Sequence, residues 1–453
     1  MLRKNIIFSD IRTRLGGAIL ALLAMLTATS ANAVPSFARQ MGGMQCAACH
    51  TVFPELTPFG RQFKLSGYSM STPKPDNASL IDKIPVSALL QISRTSTKNT
   101  GTSGATPADF PRDGDVIVQA AGLYYAGKIT DKSGALVQYS YDGIERRWGM
   151  EMADIRYADT VTTLGRDLIY GITLNNAPTL SDISNSTPVW SFPNVGSAAV
   201  MPAASSLLDM ALASQVGGIG VYGLWDNLLY GEVALYRTVN SGVLRLLGLN
   251  VPTGNIVKGY APYWRFALQQ ETGVHSFSVG TYGMISKIYA DSQALSLGSN
   301  RFEDIAMDGQ YQFIDGDHTF STHATWIHEK QEWDASFPMG MTSNAATVLR
   351  TFRADVRYNY KRQWGGGLQY FQTQGDTDAL RYDTGEAVMG SANGSPNSKG
   401  WVAELNFLPQ QDIKLALRYT AYTQFNGAGN NYAGFGRNAS DNNSVYLLSW
   451  FLF

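Results

Sequence analysis

The chain has 453 residues, a formal net charge of −1 and only 16% charged side chains, so no basic surface advertises nucleic acid. It holds 45 Gly, 23 Tyr and 20 Phe, and beyond its N-terminal segment no apolar run is long enough for a membrane helix. Glycine, aromatics and alternation without such a helix exclude a helical membrane protein and point to a β-barrel.

At the N-terminus, Arg3, Lys4, Arg12 and Arg14 flank or precede an apolar run from Ala18 to Leu26, and small residues follow up to Ala31-Asn32-Ala33. A basic end, a short apolar stretch and an A-x-A site are what signal peptidase reads. The run is too short to stay in a bilayer as a helix. Residues 1–33 are therefore expected to be an export signal, with the mature chain beginning near Val34.

The next segment, residues 34–80, carries the chemistry. Its Cys46 and Cys49 are the two cysteines of the chain, and with His50 they read Cys-Ala-Ala-Cys-His. A disulfide here would have to close a very tight loop. A redox C-x-x-C normally sits beside a thioredoxin-like βαβ pattern, which is missing. Zinc would need two further ligands nearby. The pattern C-x-x-C-H is instead that of c-type haem attachment. Two thiols add across the two vinyl groups, their spacing puts both on one side of a helical turn, and the histidine then points at the iron. The expectation is one covalent haem c on Cys46 and Cys49, with His50 as proximal iron ligand.

Phe53, Leu56, Phe59, Gly60 and Phe63 then repeat at helical spacing. Pro54 suits the first turn of that helix and Gly67 the position just past its end. The apolar face would lie on the porphyrin or on another apolar surface. Arg61 and Lys64 suit either the haem propionates or solvated positions. For the second iron ligand the local candidates are Met41, Met44 and Met70. Met44 shares the proximal peptide with His50. Met70 follows the Gly67 turn and could return to the other face, so it is the expected ligand, although methionine also serves as filler.

From residue 81 to 453 the chain reads as a barrel. Sixteen alternating segments follow one another, from those centred on Leu90, Gly122 and Tyr139 to those on Leu405, Leu417 and Leu448. Each is about ten residues long, the length of a tilted membrane strand. Phe352, Ala354, Val356, Tyr358 and Tyr360 would face lipid, while Arg353, Asp355, Arg357 and Asn359 face the interior. Short connections, such as Asp226-Asn227, Thr272-Gly273, Ile314-Asp315-Gly316 and Pro409-Gln410, alternate with long ones near 177–215, 239–258, 329–349, 375–399 and 422–443. A short connection near Gly143 breaks the pattern. Long loops outside and short turns inside are how outer-membrane barrels are built. Val445, Leu447, Phe451 and the terminal Phe453 give the last strand its apolar face. By parity His275, His318 and His328 face outward, whereas His323 faces the lumen. There it is either a distal ligand, a redox-path residue or a satisfied polar group.

The strings Pro35-Ser36-Phe37-Ala38-Arg39-Gln40, Cys46 to His50, Phe53-Pro54-Glu55-Leu56-Thr57-Pro58-Phe59-Gly60-Arg61 and Lys64-Leu65-Ser66-Gly67-Tyr68 resemble the fused cytochrome–porin family of iron-oxidising bacteria. Asn175-Asn176-Ala177-Pro178-Thr179 and Thr187-Pro188-Val189-Trp190-Ser191-Phe192-Pro193 resemble the same family. The resemblance implies an outer-membrane monohaem cytochrome with a porin-like barrel. It also implies extracellular Fe(II) as electron donor and a periplasmic electron carrier as acceptor, the chain acting as an Fe(II)-oxidising oxidoreductase. A barrel of sixteen strands leaves an interior that is otherwise an aqueous channel, and some 50 residues are too few for a good core alone. The haem segment is therefore expected in the lumen or at its periplasmic mouth, with Arg61 and Lys64 reaching lumen acids such as Asp304, Asp308 or Asp355. A solute porin with a redox-sensitive haem plug and a haem peroxidase are the competing readings.

Overall fold

The computed structural model describes residues 35–453 except 75, 76, 78, 99–112, 145, 187–200, 203, 213, 241, 244–253 and 384. The expected export signal and the string from Thr187 to Pro193 lie outside the described residues.

Alternating segments become strands because period-two patterning gives each a lipid face and a lumen face. The strands are β1 (Val86–Thr97), β2 (Val116–Thr130), β3 (Ser133–Asp142), β4 (Arg147–Thr163), β5 (Arg166–Asn175) and β6 (Val216–Trp225). Next come β7 (Leu229–Thr238), β8 (Ala261–Thr272), β9 (His275–Tyr289), β10 (Ser299–Asp315) and β11 (His318–Glu332). The last are β12 (Ala346–Tyr360), β13 (Trp364–Gly375), β14 (Ser398–Gln410), β15 (Ile413–Gln424) and β16 (Ser444–Leu452). Each pairs antiparallel with its neighbour, and β16 pairs with β1 from Ser444↔Thr97 to Leu452↔Leu89, closing a sixteen-stranded barrel. Closure satisfies every edge, which is what lets a sheet sit in lipid. Among the described residues no helix is long and apolar enough to cross a membrane.

The faces follow the sequence parity. On β12, Phe352, Val356, Tyr358 and Tyr360 are exposed on the outer wall, and Asn359 is buried inside. Ile155 and Tyr157 on β4 point out, between the fully buried Asp154 and Arg156 and their lumen-facing successors. An apolar outer band over a polar interior is the outer-membrane type of barrel. Turns after even-numbered strands are short and the loops after odd-numbered ones mostly long, with residues 143–146 as the short exception. The last short turn is Gln411-Asp412 rather than Pro409-Gln410, because β14 continues through Gln410 to pair with Ile413. Strands β11 and β12 also run further than their alternation suggested, leaving a loop of only 333–345.

The N-terminal segment enters from the short-turn end, which in such barrels faces the periplasm. It comprises α1 (Pro35–Gln40), α2 (Cys46–Cys49), a two-stranded ladder of His50–Val52 with Glu55–Leu56, α3 (Pro58–Leu65) and α4 (Leu80–Lys83), which leads into β1. The long connection after β5 folds inward to meet it, through a 3₁₀ turn at Pro178–Ser181 and a wide turn at Leu207–Ala211.

The helix expected from Pro54 starts four residues later, at Pro58. Thr57 competes successfully as N-cap, its Oγ1 accepting from Gly60 N at 3.1 Å, and Pro58 takes the first helical position. Pro54 lies instead in the turn of the small ladder, where the Phe53–Pro54 peptide is cis. Gly67 ends α3 as expected, at φ +69°.

Candidate cofactor site in the barrel lumen

Cys46 and Cys49 sit one helical turn apart on α2, not joined in a disulfide. Burial pushes the Cys49 thiol up to about 11. A reactive redox pair needs a thiol depressed toward the thiolate, and the Cys49 shift runs the other way. The turn is fixed at its start by the barrel rim. Cys46 N donates to Gln411 Oε1 at 3.2 Å and its Sγ donates to Gln411 O at 3.3 Å, both in the β14–β15 turn. Arg362, in the β12–β13 turn, donates to Gln45 Oε1 at 2.8 Å. It is fixed at its end by α3. Thr57 N donates to Cys49 O at 2.9 Å, and a Cβ on Gly60 would lie 2.2 Å from that same oxygen. Only glycine lets α3 approach the motif so closely.

His50 is half-buried, with its ring 4.5 Å from that of Phe53, which in turn lies 5.8 Å from Trp450 on β16. Its Nδ1 is 3.2 Å from Pro54 O. A carbonyl can only accept, so Nδ1 is the protonated nitrogen and Nε2 carries the lone pair. Burial holds the imidazole neutral, down at about 4, against the backbone of Pro54 and Glu55. A neutral histidine with its other nitrogen bonded to a carbonyl is the state a metal ligand requires. Two neighbouring thiols outside any disulfide and this imidazole are the donor set that a covalent haem would use, so the residues fit such a group. The residues that would hold it are Cys46, Cys49 and His50.

Met70 and Met41 both pack, half-buried, against one apolar cluster that contains Cys46, Phe53, Phe63 and Tyr68. Gln40 positions the Met70 segment: its Nε2 donates to Tyr68 O at 2.8 Å and to Met70 O at 2.7 Å, while its Oε1 accepts from Lys128 N on β2.

The lumen acids expected to meet Arg61 and Lys64 are engaged elsewhere. Asp308 pairs with Arg265, Asp355 with Arg357, and Asp304 accepts from Leu208 N. Arg61 instead donates to Ser276 Oγ at 2.7 Å and Gln312 Oε1 at 3.2 Å, with Glu271 at 3.9 Å. Lys64 Nζ donates to Leu180 O at 2.7 Å, Asp182 O at 2.6 Å and Asn185 Oδ1 at 2.8 Å, all on the inward-folded loop. Both cations are buried and serve to dock the segment, not to meet solvent. Tyr68 donates to Asp154 on β4 at 2.7 Å, and Glu55 accepts from Gln312 and Ser321. These docking partners come from distant strands, and no local spacing announces them. His323 is buried in the lumen with Thr325 Oγ1 at 3.2 Å and Asp355 at 3.8 Å, which makes it a satisfied polar group.

Beyond Val52 the lumen stays open. A small cavity lies along β12–β15, between Val52 and residues that include Asp355, Arg357, Leu368, Glu404 and Arg418.

No family model matches the chain, and no curated protein matches it. Solved porins are similar in architecture. An OmpF of Salmonella typhi, in complex with daunomycin, is 12% identical with a TM-score of 0.44, covering 81% of this chain and 97% of its own. The outer-membrane channel DcaP of Acinetobacter baumannii is 12% identical over 81% and 96%, TM-score 0.44. An anion-selective porin from Comamonas acidovorans is 10% identical over 81% and 98%, again at 0.44. Likenesses this distant carry neither cargo nor selectivity to this chain.

Proposed function

We propose that the chain is an outer-membrane c-type cytochrome–porin, transferring electrons from an extracellular donor, Fe(II) on the resemblance, through one covalent haem to a periplasmic carrier. The observation that carries this reading is the Cys46-Cys49-His50 set seated in the short-turn mouth of the lumen, with the His50 tautomer fixed by Pro54 O. When bound, the haem supplies one-electron chemistry between ferric and ferrous iron. The chain does the rest. Cys46 and Cys49 would tether the haem, and His50 and Met70 would ligate its iron, with Met41 the next candidate after Met70. Arg61, Lys64 and Tyr68 fasten the segment across the barrel, and the loop after β5 covers it from the long-loop side. Phe53 and Trp450 keep an apolar flank against the motif.

The charged cavity along β12–β15 favours one competing reading, a solute porin whose N-terminal segment is a redox-sensitive plug. Such a porin would show ion conductance in planar bilayers that changes with oxidation state. The peroxidase reading needs a distal acid, and Glu55, the acid nearest the motif, is held by Gln312 and Ser321. The deciding experiment places purified protein in liposomes with ferrous iron outside and an electron acceptor enclosed. Reduction of the acceptor is expected, and equal reduction by a Cys46→Ala variant would sink the reading.

A further inference from the structure

We infer that Arg357 and Arg418, on the lumen wall beside the motif, form the seat for the two propionate carboxylates of the haem. The inference rests on the proposed attachment at Cys46 and Cys49. The cavity they line begins at Val52, two residues past His50. Its lining sets Arg357 and Arg418 against Asp355 and Glu404, with Lys414, outside the lining, as a second partner of Glu404. Glu404 takes both Lys414 at 2.7 Å and Arg418 at 2.5 Å, and Asp355 is shared between Arg357 at 3.1 Å and His323 at 3.8 Å.

The donors on this wall are not exhausted. Arg418 is 8% exposed, yet its Nη1 has no hydrogen-bond partner. Arg357 meets Asp355 through Nε, which leaves the outer edge of its fork to the cavity. A buried guanidinium with an unmet N–H carries the full desolvation cost of that group. Its planar fork is shaped for a carboxylate, which it binds through two parallel bonds.

The polarity of the surroundings matches the two edges of a tethered porphyrin. Thioethers form on the vinyl edge, and the propionates lie on the edge away from it. The motif side offers an apolar flank, Cys46, Phe53 and Trp450, suited to the vinyl edge. The β12–β15 side offers the polar cavity with the two guanidinium groups, suited to the carboxylates.

The test uses detergent-purified, haem-loaded protein and the variants Arg357→Gln, Arg418→Gln, the double variant and the matching Arg→Lys forms. Covalent haem is counted by pyridine haemochrome, the midpoint potential by spectroelectrochemistry, and the propionate bending bands by resonance Raman. The glutamine double variant is expected to keep its haem, lower its potential and shift those bands. The lysine forms are expected to recover most of the potential. Full haem with unchanged bands and potential in the double variant overturns the seat and leaves the attachment standing. Wild-type protein without covalent haem overturns both. A saturable shift of the wild-type potential on adding inorganic phosphate, lost in Arg418→Gln, means that the pair takes a free anion, and this too overturns the seat.

Discussion

The two sides of this lumen are made of the same kind of strand and look nothing alike. Along β4–β11 the interior is packed solid. Tyr222, Tyr230, Tyr236, Tyr263 and Tyr282 are buried there, with Arg156 5.1 Å from the ring of Tyr222 and Arg265 4.8 Å from that of Tyr282. Leu207, Leu208 and Leu212 of the inward loop fill the space between them. Along β12–β15 the wall is lined by ion pairs, glycines at 365–367 and an open cavity. A ring of sixteen strands is wider than its side chains can fill. Filling it takes other pieces of chain, and only the β4–β11 side receives both the N-terminal segment and the loop after β5. Along β12–β15 the wall charges pair largely with one another, and a space remains beside Val52.

The seam between these sides is the Cys46-to-His50 motif, and breaking it has the largest expected effect. Cys46→Ala should end covalent haem attachment and transmembrane electron transfer, read by haem staining on denaturing gels and by the liposome assay. Met70→Ala should keep the haem, lower its potential and remove the weak absorption of a ferric iron–methionine bond. A variant that retains the wild-type band would rule Met70 out and leave Met41 and Met44 to be tried next.

On the packed side, Lys64→Ala removes the donor that three acceptors share. Leaving buried acceptors without that donor costs about 1–3 kcal/mol. Protease cleavage of the segment under urea, together with planar-bilayer conductance, should show it loosened, so that this side begins to behave like the open one. Unchanged conductance and protection would mean that Lys64 is not what holds the packing.

Acid should separate the sides as well. Burial opposes ionisation of Asp182, but Arg265, Lys64 and the N–H groups of Ser184 and Ser186 outweigh it and hold the carboxyl down at about 2. A carboxyl depressed on folding stabilises above its unfolded pKa and loses that contribution as pH falls through the folded one. Docking of the inward loop should therefore be intact at pH 5 and weaken by about 2 kcal/mol as the pH falls from near 4 to about 2. Hydrogen exchange along 178–186 would measure it, and an Asp182→Asn variant should lose this acid step. The smallest effect is expected from Tyr68→Phe, which removes one hydrogen bond to an Asp154 that keeps Arg156 and Thr173. About 1 kcal/mol of segment docking should go, measurable as an earlier urea midpoint for the same cleavage.

The open and packed sides were not equally legible in the sequence. All the strands were, because a lipid face and a lumen face write themselves as alternation at every second residue. The short connection after β3 stood out for the same reason. The motif was legible because its spacing is local. The partners that hold it were not: Pro54 O depends on a turn in which Pro54 looked helical, and Gln411 arrives from a turn far along the chain. Arg61 and Lys64 were matched to Asp304, Asp308 and Asp355 by facing direction alone. The barrel wall and the inward loop had already supplied Arg265, Arg357 and Leu208 N to those acids. The inward placements of 178–186 and 204–212 have no periodicity to read, since they are set by what these residues dock against.

The tie between Cys46 and Gln411 bears on the order of assembly. Gln411 belongs to a turn that exists only once β14 and β15 have paired, and in the finished molecule it covers the backbone N–H and the sulfur of Cys46. Any machinery that joins a porphyrin to these thiols needs them on a pliable, uncovered chain. If the haem is attached as proposed, it goes on while the early segment is exported and the later strands are still unpaired. The barrel then closes at β16 and β1 around cargo already in place, and the last strands act as the lid of a vessel that is filled before it is sealed.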